Sequence, residues 1–352
     1  MSFDLVVDAK RWQDHLRAFH ERVPGLVPVI KGNGYGLGRD VLAAESVRLG
    51  ADVVAVGTYP EVADALAAFD GDVLVMTPWR PFYTGADVDG ALADPRVIHT
   101  VGRLEDVQAL SGSGHSPVRV VIEAETSLSR HGFDRHELAA VAASLGSLRV
   151  DGFTIHLPLM PDNLHEADEW AGRLRTSQLE TTTFYVSHLS PDDLAALRER
   201  RPELDIRARI GTNLWLGDVG AFSVRSTVID VHQVARGERV GYRQRAAPRD
   251  GHLLVLSGGT SHGLGLEAPR AVGSAIERAK RLARGGLEAA GFALSPFVVG
   301  GKQRWFVEPP HMQASLVFLP AGVTPPDPGD TVSAAVRYTT TSFDSVVLEG
   351  SS

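Results

Sequence analysis

Eight short apolar runs, separated mostly by amphipathic stretches, occupy the first two-thirds of the chain, and no other feature narrows the fold as far. They are LVPVI (26–30), ADVVAVG (51–57), DVLVMTP (72–78), RVIHTV (96–101), VRVVIEAE (118–125), VDGFTIHL (150–157), TTFYVS (182–187) and IRARIG (206–211). Runs this apolar suit strands covered on both faces, as in a parallel sheet. Between them lie stretches with helical periodicity, including EVADALAAF, RHELAAVAASLG, HEADEWAGRLRTSQLE and SPDDLAALRER. The last has the clearest helix start, with Ser190 as N-cap, Pro191 as first residue and Asp192 and Asp193 at the positive end of the dipole. Strand–helix alternation over roughly 200 residues predicts a TIM-type (β/α)8 barrel; a doubly wound sheet shares the local signature, and the barrel is the expectation taken forward.

The texture changes after about Gly220. STVIDVHQVARGERVGYRQ, GHLLVLSGG, PFVVGGKQRWFVEP, QASLVFLP and DTVSAAVRYTTTSFDSVVLE read as strands divided by Gly, Pro and Asp turns, with one helical stretch, APRAVGSAIERAKRLARGGLEAAG, among them. The expected division is a barrel over 1–220, with a first strand at 3–8 able to pair with the second domain, and a β-rich domain over 221–352.

Composition excludes several function classes. The net charge of −8, without a basic tail or stripe, argues against nucleic acid or an anionic membrane as partner. No apolar span is long enough to cross a bilayer. The first residues, MSFDLVVDAKRW, do not read as a secretory signal. The absence of cysteine removes disulfides, thiolate nucleophiles and zinc–thiolate sites, and no metal site is expected. A cytoplasmic enzyme is the expectation.

LVPVIKGNGYGLG (26–38) carries the chemistry. An apolar strand runs into Lys31, and glycines follow at 32, 34, 36 and 38. The lysine precedes the glycines, so neither phosphate-cradle pattern, G-x-G-x-x-G nor G-x-x-x-x-G-K-[ST], fits. A lysine snorkelling from a glycine-rich loop is one reading. The other uses position: the carboxyl end of barrel strands is where such folds hold their chemistry, and a desolvated lysine amine there is a carbonyl nucleophile.

VIKGNGYGLG resembles the cofactor-lysine motif of the alanine racemase family, in which tyrosine follows lysine by four residues. The resemblance runs in order along both domains. It implies a pyridoxal 5'-phosphate enzyme of fold type III, with Lys31 carrying the cofactor and Tyr35 reaching its phosphate. EAETSLSRHGF resembles the segment whose arginine lies near the substrate carboxylate, which maps to Arg130. Glu123 occupies the place where many members carry a carbamylated lysine, and a carboxylate offers that arginine the same acceptor charge. GFTIHL places His156 where the family stacks a histidine on the pyridine ring. YVSHLS resembles the segment that supplies the family's phosphate-binding serine, with Ser190 the better match and Ser187 the other candidate; a capped helix N-terminus suits an anion. RARIGTNLWLGD resembles the segment that sets Arg209 against the pyridine nitrogen and gives the phosphate the N–H groups of Gly211 and Thr212. A guanidinium does not protonate that nitrogen, which leaves a weaker electron sink and favours racemisation over transamination.

In the second domain VARGERVGYRQ resembles the segment of the second catalytic base, Tyr242, which in the family enters the neighbouring subunit's site and so implies a homodimer with shared active sites. Three places depart from the pattern. LSGGTSHGLG stands for a Gly-Tyr-Ala-Asp-Gly-like turn, with Thr260, Ser261 or His262 replacing an orienting tyrosine. HMQ stands for Met-Asp-Gln, keeping Met312 but putting Gln313 in place of the aspartate. The carboxy-terminal stretch is shortened, leaving Tyr338 as its phosphate candidate. Tyrosine is a weak base at a free pKa of roughly 10, and Arg130 and His262 are the expected supports for its phenolate.

The expectation is two-base racemisation of a small, alanine-like amino acid, which would make a D-amino acid of the kind used as a peptidoglycan precursor. The competing expectations are a cofactor-binding accessory protein without racemase activity and a related enzyme for a different amino acid.

Overall fold

The computed structural model describes residues 2–115, 117–266 and 293–350. The helical stretch expected over 268–291 lies outside the described residues. The chain divides into two compact units, one of residues 13–217 and one of residues 1–12 with 218–352.

All eight expected runs of the first unit form strands: β2 (Leu26–Pro28), β3 (Val53–Val56), β4 (Asp72–Val75), β5 (Val97–Val101), β6 (Arg119–Ala124), β7 (Arg149–Ile155), β8 (Thr183–Val186) and β9 (Asp205–Ile210). They make one parallel sheet in the order β2-β9-β8-β7-β6-β5-β4-β3. The ring closes where Val29, just beyond β2, bridges Ala55 of β3. The Val29 N–H reaches Ile210 on one side at 3.0 Å, and the Ile30 N–H reaches Ala55 on the other at 2.8 Å. Alternating inward residues fill the middle, among them Val27, Val29, Val53, Ala55, Leu74, Ile98, Val121 and Tyr185. The barrel is thus a packed core rather than a pore, and its carboxyl-end loops are free to carry chemistry. Helices follow the strands as read; at Pro191–Arg200 the Ser190 side chain accepts from the Asp193 N–H, and Asp193 returns the bond as a capping box.

The second unit is built on antiparallel strands. The first strand of the chain, β1 (Phe3–Asp8), pairs antiparallel with β10 (Phe222–Val234) and parallel with β18 (Ser345–Glu349). β10 is long enough to serve three neighbours, because a register shift between Val228 and Asp230 turns its second half onto β13 (Gly251–Ser257). From β13 the sheet runs through β16 (Ala314–Pro320), β15 (Lys302–Phe306), β14 (Leu294–Val299) and β17 (Thr331–Ala334) back to β10. Phe3, Leu5, Leu254, Leu256, Phe297, Val317 and Leu319 are buried in this unit. A two-residue ladder, β11 (Arg239–Val240) with β12 (Arg245–Ala246), carries the turn that holds Tyr242. No helix of the described residues is long and apolar enough to cross a membrane.

Candidate active site

The singled-out residues of the first unit come from the carboxyl ends of its strands. Lys31 leaves β2 as the backbone turns into the glycine run, where Gly32, Gly34, Tyr35, Gly36 and Gly38 all take positive φ. The loop is pinned from the next βα connection. Glu61 Oε1 accepts the Gly32 N–H at 3.0 Å, and Oε2 accepts the Gly57 N–H at 2.6 Å. The Lys31 amine lies below the usual lysine range: burial lowers it first, the charges of Arg130 and Arg209 lower it further, and Glu61 opposes them. A larger share of neutral amine follows, which is what attack on a carbonyl requires.

Tyr35 is buried at φ 57°, an uncommon conformation for a bulky residue, and its hydroxyl lies directly over Gly211. Burial first, then the Glu61 charge, push the phenol well above its ordinary value, so Tyr35 is a hydrogen-bond donor at neutral pH. A Cβ at position 211 would overlap that hydroxyl. Gly211→Ala should therefore displace Tyr35 and weaken anion binding here by about tenfold or more, the size of one lost charge-assisted hydrogen bond, as read by calorimetric titration with inorganic phosphate or pyridoxal phosphate. Unchanged affinity would show that the Tyr35–Gly211 contact holds no anion.

Arg209 and Glu123 form the buried charged floor, at 5% and 2% exposure. One terminal nitrogen of Arg209 donates to the Ile155 carbonyl at 2.7 Å. Burial lowers the guanidinium to about 10, Glu123 opposes the shift and Arg130 adds to it, so it stays cationic at neutral pH. Burial raises the Glu123 carboxyl, against the charges of Arg209, Arg130 and Arg80. Three buried polar atoms of this floor have no partner among the described residues: Arg209 Nε, Glu123 Oε2 and Thr154 Oγ1. Orphans of this kind are rare in folded proteins and mark places where a bound group is expected.

His156 follows β7. Its Nδ1 is 3.2 Å from Ser187 Oγ, and its ring meets His188 edge-on at 5.0 Å. Burial first, then the charges of Arg209, Arg130, His188 and Lys31, push it down to about 2, so the ring is neutral. Arg130, in the exposed loop after β6, acts on Lys31, Glu123, His156 and Arg209 through its charge. Ser187 is buried within this group, whereas the exposed Ser190 hydroxyl donates to Asp193 at 2.6 Å. Gly211 and Thr212 open the short helix Thr212–Trp215, whose first N–H groups have no intrahelical partner.

Glu61, His188 and Thr154 were missed from sequence. Glu61 had a usable signal, since Thr58-Tyr-Pro-Glu61 has capping-box spacing and forms one. His188, at φ 57°, had none.

In the second unit Tyr242 is 85% exposed. The expected phenolate support, His262, is turned inward instead. Its Nδ1 lies 3.1 Å from the Gly259 N–H, its Nε2 lies 3.2 Å from Asp344, and its ring packs edge-on against Phe3. Those contacts commit the imidazole to holding its own loop. Met312 keeps an exposed side chain while its carbonyl accepts from Ser261 Oγ at 2.6 Å. The Tyr338 ring packs on Phe222 and Phe343.

A lysine amine held below its usual range, a neutral histidine and a buried arginine stand together at the carboxyl end of a closed (β/α)8 barrel, the end where enzymes of this architecture hold their chemistry. The profile described as "Alanine racemase, N-terminal domain" matches residues 7–199, and the chain belongs to the alanine racemase family, a family of amino-acid racemases. The alanine racemase of Mycobacterium tuberculosis is 28% identical over 290 residues, covering 74% of this chain and 73% of that one. An alanine racemase from Bartonella henselae, solved with covalently bound pyridoxal phosphate, superposes with TM-score 0.68 at 16% identity, covering 96% of this chain and 91% of that one. A histidine racemase from Leuconostoc mesenteroides subsp. sake does so with TM-score 0.63 at 19% identity, over 94% and 87%. At these identities the solved structures speak for the fold alone.

Proposed function

We propose that the protein is a pyridoxal-phosphate-dependent racemase of a small, alanine-like amino acid, working with two bases as a homodimer. The observation that carries the reading is the Lys31 amine, held below its usual range at the carboxyl end of β2 beside Arg130 and Arg209. The residues present suit the cofactor. The missing Cβ of Gly211 lets the Tyr35 hydroxyl stand at the start of the helix Thr212–Trp215, where it can donate to an anion, a ring nitrogen suits the orphaned Arg209 Nε–H, and a neutral His156 suits packing on an aromatic face. When bound, pyridoxal phosphate supplies an aldehyde for the amine of a substrate and a ring that withdraws electrons from Cα.

Lys31 would hold the cofactor through its amine, and its Nζ is the group that moves a proton at Cα on one face. Tyr242 of a second copy moves the proton on the opposite face through its phenol oxygen. Arg130 binds the substrate carboxylate, with the Glu123 carboxylate supplying its opposing charge. Arg209 would face the ring nitrogen as a donor that does not surrender its proton, which favours racemisation over transamination. Tyr35, Gly211, Thr212 and a serine hold the phosphate; the burial of Ser187 beside His156 supports that serine over Ser190, whose hydroxyl is engaged with Asp193.

The test is attachment and turnover. Protein incubated with pyridoxal phosphate should show a visible band that borohydride removes, with the label mapping to Lys31, and Lys31→Ala should abolish both band and activity. Attachment elsewhere sinks the reading. Optical rotation and α-deuterium exchange over a panel of amino acids then fix the substrate; the histidine racemase of the same fold gives a second reading, a larger side chain, and earns histidine a place on the panel.

A further inference from the structure

Two side chains passed over in the sequence stand beneath Tyr242. The turn between β11 and β12 exposes that tyrosine, so core packing does not fix its ring. Under the turn lies Glu308, only 3% exposed. Its Oε1 accepts the Tyr242 N–H at 3.1 Å and its Oε2 the Arg243 N–H at 3.2 Å. Gly241 brings the backbone down onto it at φ +73°, and a Cβ there would lie 2.6 Å from the carboxylate. His311 Nε2 makes a third bond to the same carboxylate, at 2.7 Å. The His311 ring stands 4.6 Å from the Tyr242 ring, centroid to centroid, tilted by 45°.

A carboxylate removed from water is costly unless it is fully hydrogen-bonded. Burial raises Glu308, but the bonds from His311 and the two N–H groups outweigh it and leave the carboxyl below its ordinary range. Ionised, it can only accept, so Nε2 of His311 carries a proton and the ring's orientation is set. This foundation lies under an exposed turn. The residue it presents to solvent is Tyr242.

We propose that Glu308 and His311 are positioning residues for Tyr242: the carboxylate fixes the turn and, through Nε2–H, the imidazole, and the imidazole so anchored fixes the direction of the phenol ring packed against it. The inference rests on Tyr242 being the second base of the reading above. It supplies the partner that His262, committed to Asp344, does not.

His311→Phe keeps an aromatic ring against Tyr242 and removes the imidazole. Glu308→Gln keeps the size and an acceptor for the turn but removes the charge. In each holoenzyme, inversion and solvent-deuterium exchange are measured separately from the two enantiomers, with cofactor loading read from the visible band. Inversion, and exchange of the enantiomer whose Cα–H faces Tyr242, should fall by about tenfold or more, part of the usual general acid–base contribution. Loading, and exchange of the enantiomer facing Lys31, should stay at the wild-type level. His311→Gln, which keeps a donor toward Glu308, should recover part of the loss. Wild-type rates in His311→Phe, or equal loss of exchange from both enantiomers, would overturn the inference. If Tyr242→Phe loses inversion while these variants do not, this inference falls and the racemase reading stands. A loaded wild-type protein that exchanges neither enantiomer overturns the racemase reading, and this inference with it.

Discussion

Tyr242→Phe is expected to cut inversion by about 10²-fold or more, the usual scale of a general acid–base contribution, while Lys31 continues to exchange the Cα proton of the enantiomer that faces it. The variant keeps the ring and removes one oxygen from a side chain that is largely in solvent. Stability should therefore move by no more than about 0.5 kcal/mol, which separates a chemical loss from a folding loss. Mixing this variant with an equally inactive Lys31→Ala protein sharpens the result. If Tyr242 serves a second copy, a heterodimer concentrates both lesions in one site and leaves the other whole, so up to half the activity per pair of sites returns. No recovery, alongside a normally active wild type, would show that Tyr242 acts within its own chain or not at all. Loss of both exchange and inversion in Tyr242→Phe alone would defeat the two-base mechanism.

Arg209→Leu should be the most destabilising of the single changes considered, because it leaves the buried Glu123 carboxyl with less opposing charge. The expected cost at neutral pH is about 1–3 kcal/mol, the scale for a buried polar group left less well compensated, since Arg130 and Arg80 still act on Glu123. The pH dependence identifies the cause. The folded-state pKa of Glu123 is already raised, so its contribution is complete below the unfolded carboxylate value and is lost as pH rises through the folded one. Removing Arg209 raises it further. The deficit relative to wild type should then be large above neutrality and shrink as pH falls toward about 4.3, the unperturbed glutamate value. Urea unfolding at several pH values reads this directly, and adding Glu123→Gln should restore most of the loss. A deficit that does not change with pH would mean a packing defect instead.

What was legible in the sequence was whatever depends on local pattern. Parallel strands covered on both faces need unbroken apolar runs, so all eight barrel strands were visible, and the helix at 191–200 announced itself through Ser190 and Pro191. Partnerships made across the chain were harder to see. Nothing near Phe3–Asp8 says that it pairs in parallel with Ser345–Glu349, although its pairing with the second domain was considered. His262 and His311 look alike in a sequence. One is fastened inward by an aspartate 82 residues away, while the other is held against Tyr242 by Glu308. Ser187 and Ser190 are only three positions apart, yet the buried side of the strand end takes one and the helix cap takes the other.

The Glu61 carboxylate has a consequence for the barrel as a mechanical object. Seven junctions of the ring carry two or more register partners, but the eighth, between β2 and β3, has the single Val29–Ala55 bridge. Lys31 emerges two residues beyond that seam. By gripping Gly32 on one lip and Gly57 on the other, Glu61 staples the seam with a side chain where the backbone ladder is shortest. Lys31 therefore stands at the joint of the ring with the least backbone ladder, and a change at the single position 61 would alter the grip on the loop that carries it without touching any strand.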